Sequence, residues 1–316
     1  MDLRAELAIW GPDSPPRTMT LDAARQYCRH LAQGHYENFT VVSWLFPRPL
    51  RQHLANVYAY CRWADDLADE VADAAAPQRD AGTPQRAFPT AQAESLRLLN
   101  WWESQLDAMY AGQTQHPVFV ALAQTVREFS LSRQPLADLL VAFRRDQKQT
   151  RYETLADLLT YCEKSANPVG RIVLSLGLAL DEEHLAQSDS ICTGLQLANF
   201  WQDVRRDYER GRIYLPQTAC RERGWDESRF AAGRCDDDFR KLLRPLVDDA
   251  EARLLQGESL ANGVPRDLKM PVRLFVAGGR AILAAIRRER YDVWSSRPTV
   301  GRLRKLALMA QAWWSG

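Results

Sequence analysis

Apolar residues recur at three- and four-residue spacing through most of the chain, the period of helices with one buried face. No run of alternating β-branched residues reads as a strand. The pattern predicts helices over 18–32 with Thr20 as cap, over Arg51–Val71, and over 93–112, closed by Gly112. Further helices are expected over 117–131, 135–149 and 154–165. In "NPVG", Asn167 reads as cap and Pro168 as first residue of another helix. A long helix is expected over 184–210, followed by 236–257, 270–292 and 299–313. Residues 1–19 read as irregular, and 74–93, rich in Ala, Pro, Gln and Thr, as a flexible surface loop. With no repeat at a solenoid period and no convincing linker, residues 1–316 read as one all-α domain.

Polar residues interrupt this pattern twice. In "YCRWADDLADE" (60–70), Asp65, Asp66, Asp69 and Glu70 sit among Trp63, Ala64, Leu67 and Ala68. Residues four apart share a helix face, so Asp65 and Asp69 point the same way, with Arg62 on the same stripe. An acidic stretch of this kind is ordinarily a solvated surface. The second stretch, "ICTGLQLANFWQDVRRDYERGRIYLP" (191–216), changes the weighing. Gln196, Asn199, Asp203 and Asp207, at spacings of three, four and four, fall on one stripe of an otherwise apolar helix. Such a stripe needs partners, because a buried unpaired polar group costs about 1–3 kcal/mol. Arg205, Arg206, Arg210 and Arg212 offer salt bridges as the structural reading. The functional reading is a shared site. Two helices, each with an Asp-x-x-x-Asp pair, would hold Mg²⁺ and a diphosphate between them, with Arg62 and Arg212 as phosphate ligands.

Composition narrows the alternatives. Of the 316 residues 46% are hydrophobic, enough for a substantial core, and a net charge of +1 gives no field for nucleic acid. Six cysteines without a CxxC pair and five scattered histidines form no zinc-like cluster, so a metal here would be hard and oxygen-bound. The N-terminus lacks the apolar core of a secretory signal, and no apolar run approaches the ~20 residues of a membrane span. A reduced, cytoplasmic chain with structural thiols is expected.

"YAYCRWADDLADE" together with "LQLANFWQDVRRDYERGRIYLP" strongly resembles the squalene and phytoene synthase family, from about Tyr27 to about Tyr291. The resemblance implies a helical bundle of the class I isoprenoid synthase type with a central pocket, where prenyl diphosphates are joined head to head. It assigns Asp65, Asp69, Asn199, Asp203 and Asp207 to several Mg²⁺ ions and diphosphate, with Arg62 and Gln196 beside them. It also nominates Tyr161, from the Tyr-Cys pair in "TYCEKSANPVG", as a polar group beside the reacting carbons, and Asp146 as a further carboxylate near the site.

Two departures from the family pattern narrow the activity. Where many members carry Ser-x-Ser-Phe, this chain has "GHYENF": His35 and Phe39 remain, Tyr36 and Asn38 replace the serines, and Glu37 is an unwelcome neighbour for diphosphate. One diphosphate site looks altered, as in an enzyme that starts from an already condensed substrate. In "SANPVG", Asn167 and Pro168 replace a Gly-containing kink, leaving Asn167 or nearby carbonyls to hold a water; the alternative is an ordinary helix cap. Together these stretches resemble the hydroxysqualene synthases of bacterial hopanoid pathways. That resemblance implies ionisation of presqualene diphosphate, rearrangement, and capture by water rather than by hydride from NADPH, so no NADPH is expected. Condensing squalene, presqualene diphosphate, phytoene or dehydrosqualene synthases are the alternatives. A non-catalytic helical assembly or carrier protein is the rival of another class. The intact aspartate pairs, Gln-Asn stripe and Arg62 speak against it.

The Trp101–Trp102 pair reads as packing. Trp313 and Trp314, after basic Arg302, Arg304 and Lys305, are read evenly between packing and contact with anionic lipid. A triterpene product must leave into a bilayer or to a partner such as a neighbouring enzyme of the squalene pathway, so peripheral contact with the inner face of the membrane is expected. His35 is placed in the pocket; the other four histidines read as surface or cap residues.

Overall fold

The computed structural model describes residues 2–34, 46–74 and 89–301 together with Arg304 and Ala307. Every regular element among them is a helix, apart from one isolated bridge between Arg151 and Ile213. The contacts fall into two compact units, Met1–Lys148 and Gln149–Gly316.

The first unit holds α1 (Leu3–Trp10), α2 (Leu21–Gly34), α3 (Arg48–Ala74), α4 (Pro89–Tyr110), α5 (Pro117–Phe129) and α6 (Arg133–Asp146). Helix α3 is its axis, with α2, α4, α5 and α6 packed around it. Its apolar face carries Tyr60 and Trp63, both fully buried. Trp63 stacks on Trp102 of α4 with ring centroids 5.2 Å apart and planes within 11°. Trp102 is itself fully buried and packs in the core, while Trp101 beside it is half-buried. His116 stands edge-on to both indoles and caps α5, its Nδ1 accepting from the Val118 amide at 3.2 Å. Burial holds its imidazole down at about 3, so it is neutral.

In the second unit come α7 (Leu155–Ser165), α8 (Asn167–Leu176), α9 (Glu182–Gln202), α10 (Val204–Glu209), α11 (Gln217–Glu222), α12 (Glu227–Ala232), α13 (Asp237–Gln256), α14 (Leu260–Gly263) and α15 (Arg266–Arg288). Helix α9 is the axis here, in contact with α7, α8, α13 and α15. Two glycines let these helices close in. A Cβ on Gly194 of α9 would meet Leu254 Cγ of α13 at 2.9 Å, and one on Gly279 of α15 would meet Leu195 Cδ2 at 2.8 Å.

Several expectations need correction. Residues 3–10 are helical rather than irregular: Asp2 caps the Ala5 amide, and only Leu3 is buried, so the amphipathic signal is faint. Helix α4 begins at Pro89, inside the stretch read as loop, because proline suits a first helical turn. The expected 184–210 helix breaks at Asp203, whose φ of −105° and ψ of 15° leave the helical region. Asn167 is not a cap: Ala166 is, and Asn167 is already helical with its side chain turned inward to Thr193. His53 is a buried core residue, bound to Thr125 Oγ1 through Nδ1 at 3.1 Å. Most of the expected 299–313 helix, with Trp313 and Trp314, lies outside the described residues.

Candidate active site

In the first unit, α3 carries the first acidic stretch two turns beyond the buried Tyr60. Asp65 is half-exposed, whereas Asp66 is 2% exposed. Arg62 binds both: its Nε donates to Asp66 Oδ2 at 3.1 Å and its Nη1 to Asp65 Oδ2 at 3.3 Å. The sequence reading passed over Asp66; the i+4 spacing from Arg62 was the signal that could have found it. Arg62 therefore serves first to neutralise a buried carboxylate. Asp69 lies on the same helix one turn beyond Asp65, with its side chain outside the described set. Asp146 ends α6, and the next residue, Gln147, donates through Nε2 to the Ala68 carbonyl at 3.0 Å. That bond ties the end of α6 to the acidic turn of α3 and sets Asp146 beside it. His35 and Phe39 lie outside the described residues.

The second acidic stretch lies on α9 and α10 of the other unit. Gln196 is half-buried and Asn199 exposed, and neither side chain has a hydrogen-bond partner among the described residues. Asp203 occupies the break between the helices, gripped by Arg297 with Nε–Oδ1 at 2.6 Å and Nη2–Oδ2 at 2.8 Å. Arg206 lies 3.7 Å from the same carboxylate. The salt bridges anticipated from neighbouring arginines thus come chiefly from one 94 residues away, which no local pattern reveals.

Asp207 behaves differently. Its carboxylate makes no hydrogen bond or ion pair to a described residue. Burial, then the neighbouring Asp203 charge, raises its pKa to about 7 against the pull of Arg212, Arg210 and Arg206. A partly buried carboxylate with raised pKa and no partner is a group that a cation would stabilise.

Behind the acidic stripe lies an aromatic wall. Phe200 of α9 stacks on Tyr214 with centroids 3.8 Å apart. Tyr161 of α7 lies 6.3 Å from Phe200 and 6.2 Å from Tyr214, and Tyr152 lies 5.4 Å from Tyr161. Sequence reasoning nominated Tyr161 alone. Tyr152 and Tyr214 reach it from loops, where neither periodicity nor spacing marks them. Such rings offer apolar shelter and π-faces that attract positive charge. All six thiols are free, and burial pushes those of Cys28, Cys61, Cys162, Cys192 and Cys220 up to about 12, far from thiolate chemistry at neutral pH.

Among the described residues no three His, Cys, Asp or Glu side chains converge as a ready-made metal cluster. Mg²⁺ does not require one, since it takes one or two carboxylates and completes its shell with waters and phosphate oxygens. The Asp207 carboxylate and the Asn199 amide oxygen fit that demand as hard oxygen donors not engaged by any described residue. Asp203 joins them only if Arg297 releases it.

An all-helical fold with a carboxylate-bearing stripe beside aromatic rings is the arrangement that the resemblance to helical isoprenoid synthases leads one to expect. The squalene/phytoene synthase family profile matches residues 32–304, and the chain belongs to that family. It is similar to the squalene synthase HpnC from Alicyclobacillus acidocaldarius, whose crystal structure superposes with a TM-score of 0.76 at 39% identity, covering 86% of this chain and 96% of that one. A dehydrosqualene synthase crystallised with a ligand shares the fold at a TM-score of 0.79 and 23% identity, over 93% of this chain and 97% of that one. Among curated proteins, the 15-cis-phytoene synthase of Synechocystis sp. is 29% identical over 98% of this chain and 90% of its own length. No described helix is long and apolar enough to cross a membrane.

Proposed function

We propose that this protein ionises presqualene diphosphate with the help of Mg²⁺ and captures the rearranged cation with water, giving hydroxysqualene. The observation that carries the reading is Asp207, a carboxylate with no ion pair to a described residue, raised to about 7 by burial and the neighbouring Asp203 charge on the short helix that follows α9. When bound, Mg²⁺ supplies positive charge that stabilises the departing diphosphate. Asp65, Asp69, Asn199, Asp203 and Asp207 are its proposed ligands. Arg212 and Gln196 orient the diphosphate; Arg62 and Asp146 hold the first acidic turn. Tyr161 and the rings around it exclude bulk water and face the cation. His35 and Phe39 contact the substrate.

The choice of substrate rests on "GHYENF", where the serines expected of a second diphosphate site are replaced. The name of the 39% identical relative, a squalene synthase, supports a place in squalene formation. The resemblance to 15-cis-phytoene synthase over 98% of the chain favours a second reading, head-to-head condensation of a prenyl diphosphate. In either reading residues 1–316 act as one catalytic domain in the cytoplasm, at the inner face of the membrane, where an apolar product departs to lipid or to a neighbouring enzyme.

The test uses purified protein, Mg²⁺ and no nicotinamide cofactor, with presqualene diphosphate in one reaction and farnesyl diphosphate in another. Hydroxysqualene from the first and nothing from the second is expected on mass spectrometry. Presqualene diphosphate from the second, with the first inert, overturns the proposal in favour of condensation.

A further inference from the structure

The break between α7 and α8 collects polar groups that the fold leaves unsatisfied. Pro168 has no amide hydrogen to donate back to the Lys164 carbonyl, so the helix restarts there rather than continuing. Ser165, the last residue of α7, has a buried hydroxyl with no hydrogen-bond partner. It stands four residues after Tyr161, one turn along the same face of α7 as the aromatic wall. Asn167 is 4% exposed. Its Oδ1 accepts from Thr193 Oγ1 of α9 at 2.9 Å, and its Nδ2 donates to no described residue. Thr193 lies three residues before the unpartnered Gln196 and seven before Phe200, so all three share a face of α9.

The Thr193 bond to Oδ1 holds the amide plane of Asn167 with its Nδ2 donor at the other end. A side-chain donor without a described acceptor, two residues along the chain from a buried hydroxyl without a partner, offers groups that an ordered water would satisfy. The surrounding wall is aromatic, made of Phe200, Tyr214, Tyr161 and Tyr152.

We propose that Asn167, oriented by Thr193, holds the water molecule that captures the cation, with Ser165 accepting one of that water's hydrogens. This role rests on the reaction proposed above and identifies the group that positions the nucleophile. As the carbon–oxygen bond to diphosphate breaks, its electron pair leaves with the phosphate oxygen. A lone pair of the held water then forms the new carbon–oxygen bond. The surplus proton passes to the released diphosphate, so that presqualene diphosphate and water become hydroxysqualene and hydrogen diphosphate. Asn167 is a positioning residue: it neither gains nor loses a proton.

The experiment measures hydroxysqualene formed per diphosphate released, from presqualene diphosphate with Mg²⁺, in the wild type, Asn167→Leu and Thr193→Val. Leucine matches asparagine in size and removes the donor. In Asn167→Leu the ratio should fall at least tenfold, with hydrocarbons from proton loss in place of the alcohol. In Thr193→Val, where the amide is no longer fixed, it should fall about threefold. A residue that only supports the fold would lower diphosphate release and leave the ratio alone. A ratio within twofold of wild type in folded Asn167→Leu overturns the proposal. Should that variant fail to fold by circular dichroism, an unchanged ratio in Thr193→Val overturns it. A wild-type protein that makes no hydroxysqualene overturns the reaction itself, an outcome separable from a wild-type success with unaltered variants.

Discussion

Arg297 holds both carboxylate oxygens of Asp203, at 2.6 and 2.8 Å, across the break between α9 and α10. The neighbouring backbone is pinned to the same place. Gln202 Nε2 donates to the Pro298 carbonyl at 2.5 Å, and Arg205 Nη1 to the Trp294 carbonyl at 3.0 Å. A guanidinium therefore stands where a cation serving Asp203 would have to bind.

Removing that guanidinium should tighten metal binding. A bidentate pair at a partly exposed site contributes about 1 kcal/mol, so Arg297→Ala should bind Mg²⁺ roughly fivefold to tenfold more tightly in substrate-free calorimetry. An affinity equal to wild type would take Asp203 out of the metal set.

Asp207 makes the metal-free protein sensitive to pH. Its folded pKa of about 7 lies above the ordinary carboxylate value of 3.8, so the unfolded chain ionises first. Stability is then greatest in acid and declines as pH rises from 4 to 7, by at most about 1.4 kcal/mol per pH unit. Asp207→Asn should raise the melting temperature at pH 8 without Mg²⁺ and leave it unchanged at pH 4. Mg²⁺ must displace the same proton, so its affinity in the wild type should increase with pH up to about 7 and level off above. A flat profile in wild type would show that Asp207 does not bind the ion.

His116 works in the opposite direction. Its folded pKa of about 3 lies below the 6.5 of an exposed imidazole, so the unfolded chain takes up a proton first as pH falls. Its contribution is complete above pH 6.5 and is lost progressively below, again by at most about 1.4 kcal/mol per unit. Asparagine also caps helices. His116→Asn should melt lower than wild type at pH 8, through lost contact with Trp63 and Trp102, yet lose less stability between pH 7 and pH 4 in denaturant titrations.

A glycine within a helix ordinarily destabilises it by up to about 1 kcal/mol relative to alanine. At Gly194 the sign should reverse, because the new Cβ meets Leu254 at 2.9 Å and the Ala250 carbonyl oxygen at 3.0 Å. Gly194→Ala should destabilise by about 1–3 kcal/mol in urea unfolding. A stabilised variant would mean that α9 and α13 have room to part.

How much of this was legible in the chain depended on range. Helix identity follows from apolar spacing, which is local, and α3, α5, α7, α13 and α15 fall close to where that spacing puts them. The acidic stretches were likewise singled out along one segment by their spacing, and Tyr161 by the resemblance alone. Failures came where a decision depended on distant partners. Asn167 reads as a cap until Thr193, 26 residues on, draws its side chain inward. The stripe from Gln196 to Asp207 reads as one helix until the segment around Arg297 fastens to Asp203.

Sequence alone determined an all-helical chain and the residue types that can bind a hard cation, because hydrophobic period and carboxylate spacing are properties of neighbouring residues. Tertiary structure alone decided which of those carboxylates are already neutralised. It pairs Asp66 with Arg62 and Asp203 with Arg297 and leaves Asp207 without an ion pair to any described residue. The reason is physical: the energy of a charge depends on its burial and on the nearest opposite charge, and both are set by packing between helices rather than by order along one.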